Sequence, residues 1–423
     1  MLKINLLFFL ISFFNFVLSQ GITNGFGVGS LSSFNGAYNA TAGLTELVPS
    51  FQKGVSVTNP ITWKNLRFTY LSVSYGYSIA NLNNSLAINE FSNLSNISWI
   101  IPIKSKTAIG LSLSPYSNQK INVASKDTLI FSAFDDTLKT SNKIERFGGI
   151  MSFKVGGSRQ VSDKLTFGTQ FNFLFGSSRY DEIIQFDSSP SVVINTRHRY
   201  TGLLNANYLG FNLNEKLNFY GKYSFPLNAL NVAVLSRPIY EDINGNNYHD
   251  YSTQQDFPHP DSVIVSNEDR LDGIHKPIEY SLAIEYKLNN RSFISTEIIQ
   301  FNDSGNYNLI KVPMNNSISK LDIQRLQLTR FSDELSLKFI DKFISRIGVQ
   351  MKTVVLDKNQ SEIKERSVSL GFGFKFKKMG NQIDLNYYFG NRVYKNIQNK
   401  EIFQQFQLST SLADLWFVKR RQK

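Results

Sequence analysis

Apolar and polar residues alternate at every second position in many segments of the chain. Between residues 165 and 175 the odd positions are mostly phenylalanine, whereas the even positions carry small or polar residues such as Gly168 and Gln170. The pattern recurs at 280–288, 368–377 and 383–389. Because successive side chains of a strand point to opposite faces, each segment predicts a β-strand with one apolar and one polar face. Soluble sandwiches and transmembrane barrels both contain such strands.

The spacing of the segments separates these two architectures. We predict about fourteen strands, at 66–79, 94–103, 107–120, 144–157, 164–178, 193–212, 217–230, 277–288, 292–303, 322–339, 344–355, 365–377, 381–393 and 401–412. The links after even-numbered strands are short, at 104–106, 158–163, 213–216, 289–291, 340–343 and 378–380. The links after odd-numbered strands are longer, at 121–143, 179–192, 231–276, 304–321, 356–364 and 394–400. Short turns that alternate with long loops are typical of an all-β, up-and-down antiparallel transmembrane β-barrel with both ends in the periplasm.

The first residues have the features of a secretory signal peptide. Lys3 supplies a positive charge, the run 6–18 is almost wholly apolar, and the small residues Val17 and Ser19 precede the expected cleavage point. An uncleaved membrane anchor is the alternative, but a spanning helix needs about 20 apolar residues and this run is shorter. We therefore predict a signal peptide over residues 1–19 and a barrel over residues 65–423.

Composition agrees with an exported barrel. The chain has 35 Phe, 19 Tyr and 3 Trp, yet its mean hydropathy is slightly polar, as alternating strands produce. It has no Cys, which excludes a disulfide scaffold and thiolate chemistry. The net charge of +12 is dispersed along the chain, so we expect no nucleic-acid partner. The expected location is the outer membrane of a Gram-negative bacterium, with outer-membrane lipid around the barrel.

Residues 20–64 differ in kind from the predicted strands. They are rich in Gly, Ser, Asn and Ala with scattered apolar residues, too apolar for a solvated tail and too broken for a strand. We predict an N-terminal plug, or hatch, packed inside the barrel. A loose periplasmic extension is the alternative. An open porin for polar solutes would have an empty lumen, which this apolar segment disfavours.

The sequence resembles the FadL-type family of hydrophobic-compound transporters. The resembling passages are the small-residue segment 25–41, Asn59-Pro60 before the first predicted strand, the stretches 97–103 and 109–116, and the ending 414–421. Ile61 stands where the family has Ala in its Asn-Pro-Ala element. The ending also departs from the commoner barrel ending, in which an aromatic residue is last.

The resemblance implies a 14-stranded barrel plugged by its N-terminus, as the strand count also predicts. It further implies passive uptake of hydrophobic cargo such as long-chain fatty acids, with sideways exit at a kinked strand. Pro115 is the candidate for the kink, because proline removes a donor from the ladder; alternatively it begins a loop above the membrane. We expect a monomer without a cofactor that depends on the barrel-assembly machinery during biogenesis. Some relatives serve protein secretion to the cell surface, which is the alternative function.

Two groups of residues are candidates for this function. Contact with cargo or a place in the hatch is expected for Phe26, Leu31, Phe34, Tyr38, Asn59 and Pro60. A basic group that faces lipid at mid-bilayer costs about 2–4 kcal/mol, so charged residues of the strands should face the lumen and pair there. These residues are Arg67, Glu285, Glu297, Arg325, Arg346, Lys352 and Asp384. Two roles fit them equally: holding the plug, or only stabilising the barrel.

The long polar loop 231–276 contains a candidate calcium site. Asp242, Asn244, Asn246 and Asp250 present oxygens at positions 1, 3, 5 and 9 of an EF-type loop. Position 12 carries Thr253 instead of Glu, and Asn and Gly dominate ordinary turns, so a turn-rich loop is the favoured alternative. The chain has four His but no nucleophile elbow and no paired metal-ligand His motif, so we do not predict an enzyme.

Overall fold

Fourteen antiparallel strands close into a barrel in the computed structural model of the chain. The structure describes residues 21–34, 43–82, 88–103, 106–124, 129–133, 136–187, 189–236, 239–251, 255–262, 268–333, 336–358, 361–376, 381–395 and 400–414. The barrel strands are β1 (Thr69–Leu82), β2 (Ile88–Ile103), β3 (Thr107–Asn118), β4 (Asp136–Gln160), β5 (Leu165–Phe186), β6 (Ser191–Asn212), β7 (Leu217–Ser236), β8 (Pro277–Lys287), β9 (Ser292–Asp303), β10 (Ile318–Arg330), β11 (Phe343–Leu356), β12 (Glu362–Phe376), β13 (Asn381–Tyr394) and β14 (Lys400–Asp414). The wall closes because β14 pairs with β1.

Shorter elements surround these strands. Five short strands lie at Ser30–Leu31, Ile121–Ala124, Leu129–Ala133, Tyr240–Asp242 and Asp269–His275. The last four pair with the outer ends of β4, β6 and β7, away from the short turns. The 3-10 helices span Ile22–Gly25, Ser32–Phe34, Pro60–Asn65, Pro260–Ser262, Tyr307–Leu309 and Phe339–Lys342. None of the helices in the described part of the chain is long and apolar enough to cross a membrane.

The outside of the wall is apolar over a continuous band. On β12, Val368, Leu370 and Phe372 are 46%, 41% and 54% exposed, whereas Ser369 and Gly371 between them face inward. The same alternation runs along the neighbouring strands β11 and β13. Apolar side chains so exposed require a lipid surrounding rather than water. The prediction of a transmembrane β-barrel is therefore confirmed.

The N-terminal segment, defined here as residues 21–34 and 43–66, packs against inward-facing residues of the wall. Its short strand Ser30–Leu31 pairs with Asn118 and Ser117 at the end of β3. Gly29, just before this strand, has φ +88°, and a Cβ there would lie 2.2 Å from the Asn118 carbonyl oxygen. Only glycine allows so close an approach of the segment to the wall.

A short turn fixes the second half of the segment. Asn59 begins the 3-10 helix Pro60–Asn65, and its side-chain oxygen accepts a hydrogen bond from the Ile61 amide at 3.3 Å. Its side-chain nitrogen donates to the Leu47 carbonyl at 2.7 Å. The carbonyl of Pro60 accepts from the Ser158 hydroxyl of β4 at 2.6 Å. Asn59 and Pro60 therefore connect two parts of the segment to each other and to the wall.

The tenth strand is shorter than the sequence predicts. β10 ends at Arg330 rather than at residue 339, and residues 331–342 form a longer link in place of the predicted turn 340–343. Side-chain hydrogen bonds hold this link against the end of β10, because the Asp341 carboxylate accepts from Ser336 at 2.8 Å and from Arg330. The Ser336 hydrogen bond and the two nearby arginines lower the pKa of Asp341. The apolar residues that extended the prediction, Leu337, Phe339 and Ile340, are exposed in this link.

Several outer links are shorter than predicted because their strands are longer. The predicted loop 179–192 is mostly strand, leaving residues 187–190 between β5 and β6. Ile183, Val193 and Tyr240 form a small apolar cluster there, which holds the hairpin together beyond the lipid band. The predicted signal peptide 1–19, Tyr38 and residues 415–421 of the ending lie outside the described residues.

Candidate functional site

Four basic side chains of the wall hold the backbone of the N-terminal segment. Each donates to a main-chain carbonyl of the segment, and the pairs are Arg146 with Gly27 at 2.9 Å, Arg325 with Ser33 at 3.3 Å, Lys352 with Phe34 at 3.1 Å, and Arg346 with Ser50 at 2.9 and 2.7 Å. All four cations are buried. A buried cation is tolerated only with partners, so the segment and the wall depend on each other.

Arg325 on β10 lies at the centre of the first cluster. Its guanidinium contacts the carboxylates of Glu297 at 3.3 Å and Glu46 at 3.4 Å. Glu297 also accepts hydrogen bonds from the amides of Glu46 and Leu47, both at 3.0 Å. One carboxylate of β9 thus neutralises an arginine of β10 and satisfies two amides of the N-terminal segment.

Arg346 on β11 forms the second cluster. Its Nη1 donates to Asp384 of β13 at 2.9 Å, while its other nitrogens bind the Ser50 carbonyl. Gln382 donates to the same Asp384 carboxylate at 2.8 Å and to the Phe51 carbonyl at 3.3 Å. The segment is therefore attached to β11 and β13 at consecutive carbonyls.

A third cluster joins the last strands of the barrel. Glu365 on β12 contacts Arg392 at 2.6 Å and Lys352 at 3.7 Å. Arg392 also contacts Glu401 at 3.4 Å and lies over the Phe403 ring at 4.3 Å. Through Lys352, this ladder of charges ends at the carbonyl of Phe34 in the N-terminal segment.

Two charged residues differ from the predicted arrangement. Arg67 lies before β1, and its side chain is exposed rather than in the lumen, because the chain enters the wall only at Thr69. Glu285 faces the interior, but its partners are Asn218 at 2.9 Å and Tyr220 at 3.2 Å. Within the described part of the chain, neither the N-terminal segment nor a cation contacts the carboxylate of Glu285.

A cavity lies between the N-terminal segment and one side of the wall. The space there that protein atoms do not fill is about 930 Å³, part of which is open to solvent. Phe34, Val57 and Trp63 of the segment form one side, and residues of β2 to β9 form the other. Its lining is mixed, since apolar residues such as Leu111 alternate with charged residues such as Lys154.

The wall beside this cavity is interrupted. The ladder between β2 and β3 runs from Ile103–Thr107 only as far as Ile97–Leu113. Beyond it, the end of β3 pairs with the N-terminal strand Ser30–Leu31 instead. On its other side, the pairing of β3 with β4 shifts between Pro115 and Ser117. Pro115 thus lies within the strand, at an irregular pairing and against the cavity.

The predicted hatch residues occupy different places. Phe34 lines the cavity, whereas Phe26 and Leu31 line a smaller space near the outer loops. All three are buried, and Phe34 packs on Phe301 of β9 with ring centroids 5.2 Å apart. Asn59 and Pro60 do not line the cavity, because their polar groups hold the turn described above.

The candidate calcium loop is held by its own hydrogen bonds. The Asp242 carboxylate accepts from the amides of Gly245 at 2.8 Å and Asn247 at 2.7 Å, and the side chains of Asn244 and Asn246 donate to Asp250. The described residues contain no group of three or more His, Cys, Asp or Glu arranged to hold a metal ion. The turn-rich loop accounts for these contacts.

Sequence reasoning missed several residues of the site. Arg392 has the same parity as Asp384 on β13, so its inward direction was readable from the alternation. Arg146 likewise has the inward parity of β4. No local signal indicates that Tyr116 is hydrogen-bonded across the lumen to His275 at 2.6 Å, or that His275 contacts Asp303 at 2.5 Å.

Solved structures with this fold include outer-membrane channels. The CymD monoaromatic hydrocarbon channel is 11% identical with a TM-score of 0.51, and the match covers 95% of this chain and 99% of CymD. A Pseudomonas aeruginosa FadL homologue is 14% identical with a TM-score of 0.54, covering 92% and 97%. A TodX deltaS2S3 mutant, also a monoaromatic hydrocarbon channel, is 13% identical with a TM-score of 0.53, covering 89% and 98%.

At these identities the likeness shows the fold, and it confirms the predicted resemblance to FadL-type barrels. None of the curated proteins matches the sequence. The BamG family matches residues 1–423, which is the whole chain. The protein therefore belongs to the BamG family and has the fold of FadL-type outer-membrane channels.

Proposed function

We propose that the barrel is a passive channel for hydrophobic compounds, that the N-terminal segment is its plug, and that cargo leaves sideways between β2 and β3. The observation that carries the proposal is the interrupted β2–β3 ladder beside the cavity. A closed ladder would bar lateral exit, because separating paired strands breaks main-chain hydrogen bonds in lipid. Here a gap requires only that the strand Ser30–Leu31 move away from β3.

The driving force is burial of the cargo. Each CH₂ group that leaves water contributes about 0.8 kcal/mol, so long-chain fatty acids or hydrocarbons need no energy source to reach the bilayer. Phe34, Trp63 and Leu111 offer apolar contacts along the way. Buried cations of the wall hold the plug by hydrogen bonds to its carbonyls, and such bonds can be replaced by water when the segment shifts.

A disulfide between the plug and the wall tests this route. Ser30 and Asn118 are antiparallel partners, so their Cα atoms lie about 4.5–5.5 Å apart, within disulfide range. In the Ser30→Cys/Asn118→Cys protein, which has no other Cys, we expect uptake of labelled fatty acid to fall to the level of the transporter-deficient host. Reductant should restore uptake, and a hydrophilic sugar should not enter in either state.

The control is a second disulfide that leaves the plug free. Ile298 and Gln324 are partners on β9 and β10 and both face outward, so Ile298→Cys/Gln324→Cys should not change uptake. Heat-modifiability on gels confirms folded barrels in each strain. The proposal is refuted if folded wild-type protein admits neither solute. It is also refuted if the Ser30→Cys/Asn118→Cys disulfide leaves fatty-acid uptake unchanged.

A second candidate function is a role in protein export or assembly at the outer membrane, through contact with another membrane protein. It is favoured by a polar cluster on the lipid-facing side of β5 and β6. Asn205 donates to Thr169 at 3.2 Å, and Asn207 donates to Asn205 at 2.8 Å. Phe171, exposed beside them, belongs to the apolar band. Polar groups at membrane depth are unfavourable against lipid and commonly mark protein contacts.

Photo-crosslinking tests this second candidate. With a photoreactive residue in place of Leu209, next to the cluster, we expect a crosslink to another outer-membrane protein in cells. Asn205→Leu/Asn207→Leu should reduce the crosslink yield about tenfold. Polar contacts between proteins in a membrane contribute about 1–2 kcal/mol, and the variant lacks them. The conservative Phe211→Leu should leave the crosslink unchanged. An unreduced crosslink in the double variant contradicts a role for the cluster.

A further inference from the structure

A groove on the outside of the barrel combines apolar and basic residues. It crosses β11 to β14 and holds about 880 Å³ of open space. Its apolar floor consists of outward-facing residues of the wall, namely Val349, Met351, Val368, Phe389 and Ile402. Its upper edge carries Arg366, Asn391 and Lys400, which are also directed outward.

The two cations of this edge have no acidic partner among the residues that the structure describes. The ion pairs of that region join Glu362 to Lys364 and to Lys395, both at 3.9 Å, and none includes Arg366 or Lys400. Arg392 and its carboxylates lie on the inner face and do not reach the groove. An unpaired Arg beside an unpaired Lys creates a local positive potential that attracts an anion.

The height of the cations on the wall indicates the source of that anion. On β12, Phe374, Phe372, Leu370 and Val368 form the outward apolar run, and Arg366 is the first charged outward residue above it. At ~3.3 Å per residue and a tilt of ~40°, the rise from Phe374 to Arg366 is about 20 Å along the membrane normal. The apolar band of such barrels is about 25 Å tall, so the backbone of Arg366 lies near the upper edge of the band, and its long side chain can reach the outer-leaflet headgroups.

The spacing of the cations suits a phosphorylated headgroup. Arg366 pairs with Asn391, which pairs with Ile402, and Lys400 lies two positions beyond Ile402. Arg366 and Lys400 are therefore two strand spacings apart, about 10 Å across the sheet. Their long side chains can converge on one phosphate or bind two on the same molecule. Arg suits phosphate through its paired donors.

We propose that this groove binds a phosphorylated lipid of the outer leaflet, with its phosphates on Arg366 and Lys400 and an acyl chain along Val349, Met351, Val368 and Phe389. The lipid is a bound partner of the wall, distinct from cargo in the lumen. The proposal does not depend on what the barrel transports, because the groove lies on the opposite face of the wall from the cavity.

Native mass spectrometry of the purified full-length protein in detergent tests the site. The probes are diphosphorylated lipid A, the same lipid after removal of its phosphates, and inorganic phosphate as competitor. For Arg366→Gln/Lys400→Gln we expect affinity for diphosphorylated lipid A to fall about tenfold or more, as loss of charge-assisted hydrogen bonds implies. For the wild-type protein, removing the phosphates from lipid A should lower the affinity as much as the double substitution does. For the double variant, removing the phosphates should cause no further loss of affinity.

The matched control is a second basic pair on the outer wall. Arg197 and Arg199 also face outward on β6, but Arg199 has the carboxylate of Glu268 at 3.9 Å. Arg197→Gln/Arg199→Gln should bind lipid A within about twofold of wild type. Millimolar inorganic phosphate should compete weakly, because it lacks the acyl chains.

Three results would overturn the proposal. One is equal lipid binding by wild type and Arg366→Gln/Lys400→Gln, which would leave the groove to a protein partner. Another is tight binding of the phosphate-free lipid. The third is full competition by inorganic phosphate, which would show an anion site without a lipid. Should the double variant fail to fold, Lys400→Gln alone gives the same comparison with a smaller expected loss.

Discussion

Individual buried charges carry much of the link between the wall and the N-terminal segment. Arg346 is the clearest case, because one guanidinium binds both Asp384 of the wall and the Ser50 carbonyl of the segment. Removing one partner of a buried ion pair leaves an uncompensated charge in a medium of low dielectric constant. Removing one partner therefore lowers the free energy of unfolding by more than the intact ion pair contributes to it.

Arg346→Ala should lower the free energy of unfolding by about 3–5 kcal/mol, because Asp384 is left buried without its cation. Urea titration of the barrel in detergent, followed by tryptophan fluorescence, measures the change. The exposed Arg67→Ala is the control and should stay within about 0.5 kcal/mol of wild type. Adding Asp384→Asn to Arg346→Ala should recover part of the loss. Equal effects of the two alanine variants would show that Arg346 carries no buried charge pair.

For single residues, the sequence predicts which face of the wall a side chain points to better than it predicts the partner that the side chain contacts. The alternation places Glu297, Arg325 and Asp384 on the inner face, where the structure has them. Which carboxylate meets which cation depends on the register of neighbouring strands and on the path of the segment. Neither is encoded locally, so the carbonyls that Arg146 and Lys352 bind were not predictable from residue type.

Among the elements, strands inside the lipid band were easier to predict than their extensions. β9 was predicted with its observed bounds, because turn-forming residues such as Asn289 and Gly305 flank it on both sides. β4 and β5 extend further than predicted, since beyond the lipid both faces meet water or loops and the alternation weakens. At β10 the error is opposite, because exposed apolar residues of a turn resembled a continued strand.

The interruption between β2 and β3 could be anticipated only in part. Pro115 signals an irregular strand, since it cannot donate to a ladder. The sequence does not indicate that Ser30–Leu31 of the N-terminal segment takes up the free edge of β3. That pairing joins residues far apart in the chain, and its only local trace is Gly29 with its left-handed φ.

For the whole molecule, the number of strands and the alternation of short turns with long loops were enough to predict a closed fourteen-stranded barrel. Hairpins between sequence neighbours make up almost the whole wall, so the topology follows once the strands are found. The interior is harder to predict, because it depends on how a segment without regular alternation folds against fourteen strands. The lipid-facing residues, in contrast, can be predicted directly, because every second residue of a strand points outward.

The depth dependence of arginine substitutions tests this assignment of the exterior. Leu370 is 41% exposed in the middle of the apolar run of β12, whereas Gln324 on β10 is outward-facing in the same cross-strand row as Arg366. Leu370→Arg should lower the free energy of unfolding in lipid vesicles by about 2–4 kcal/mol, and Gln324→Arg should lower it by about 0–1 kcal/mol. Reversible urea titration in vesicles measures both values. If the two substitutions cost the same, the band does not lie in the hydrocarbon region, and the height assigned to the groove of Arg366 and Lys400 fails with it. A clear difference would fix the position of the barrel along the membrane normal, on which both the lateral exit and the lipid site depend.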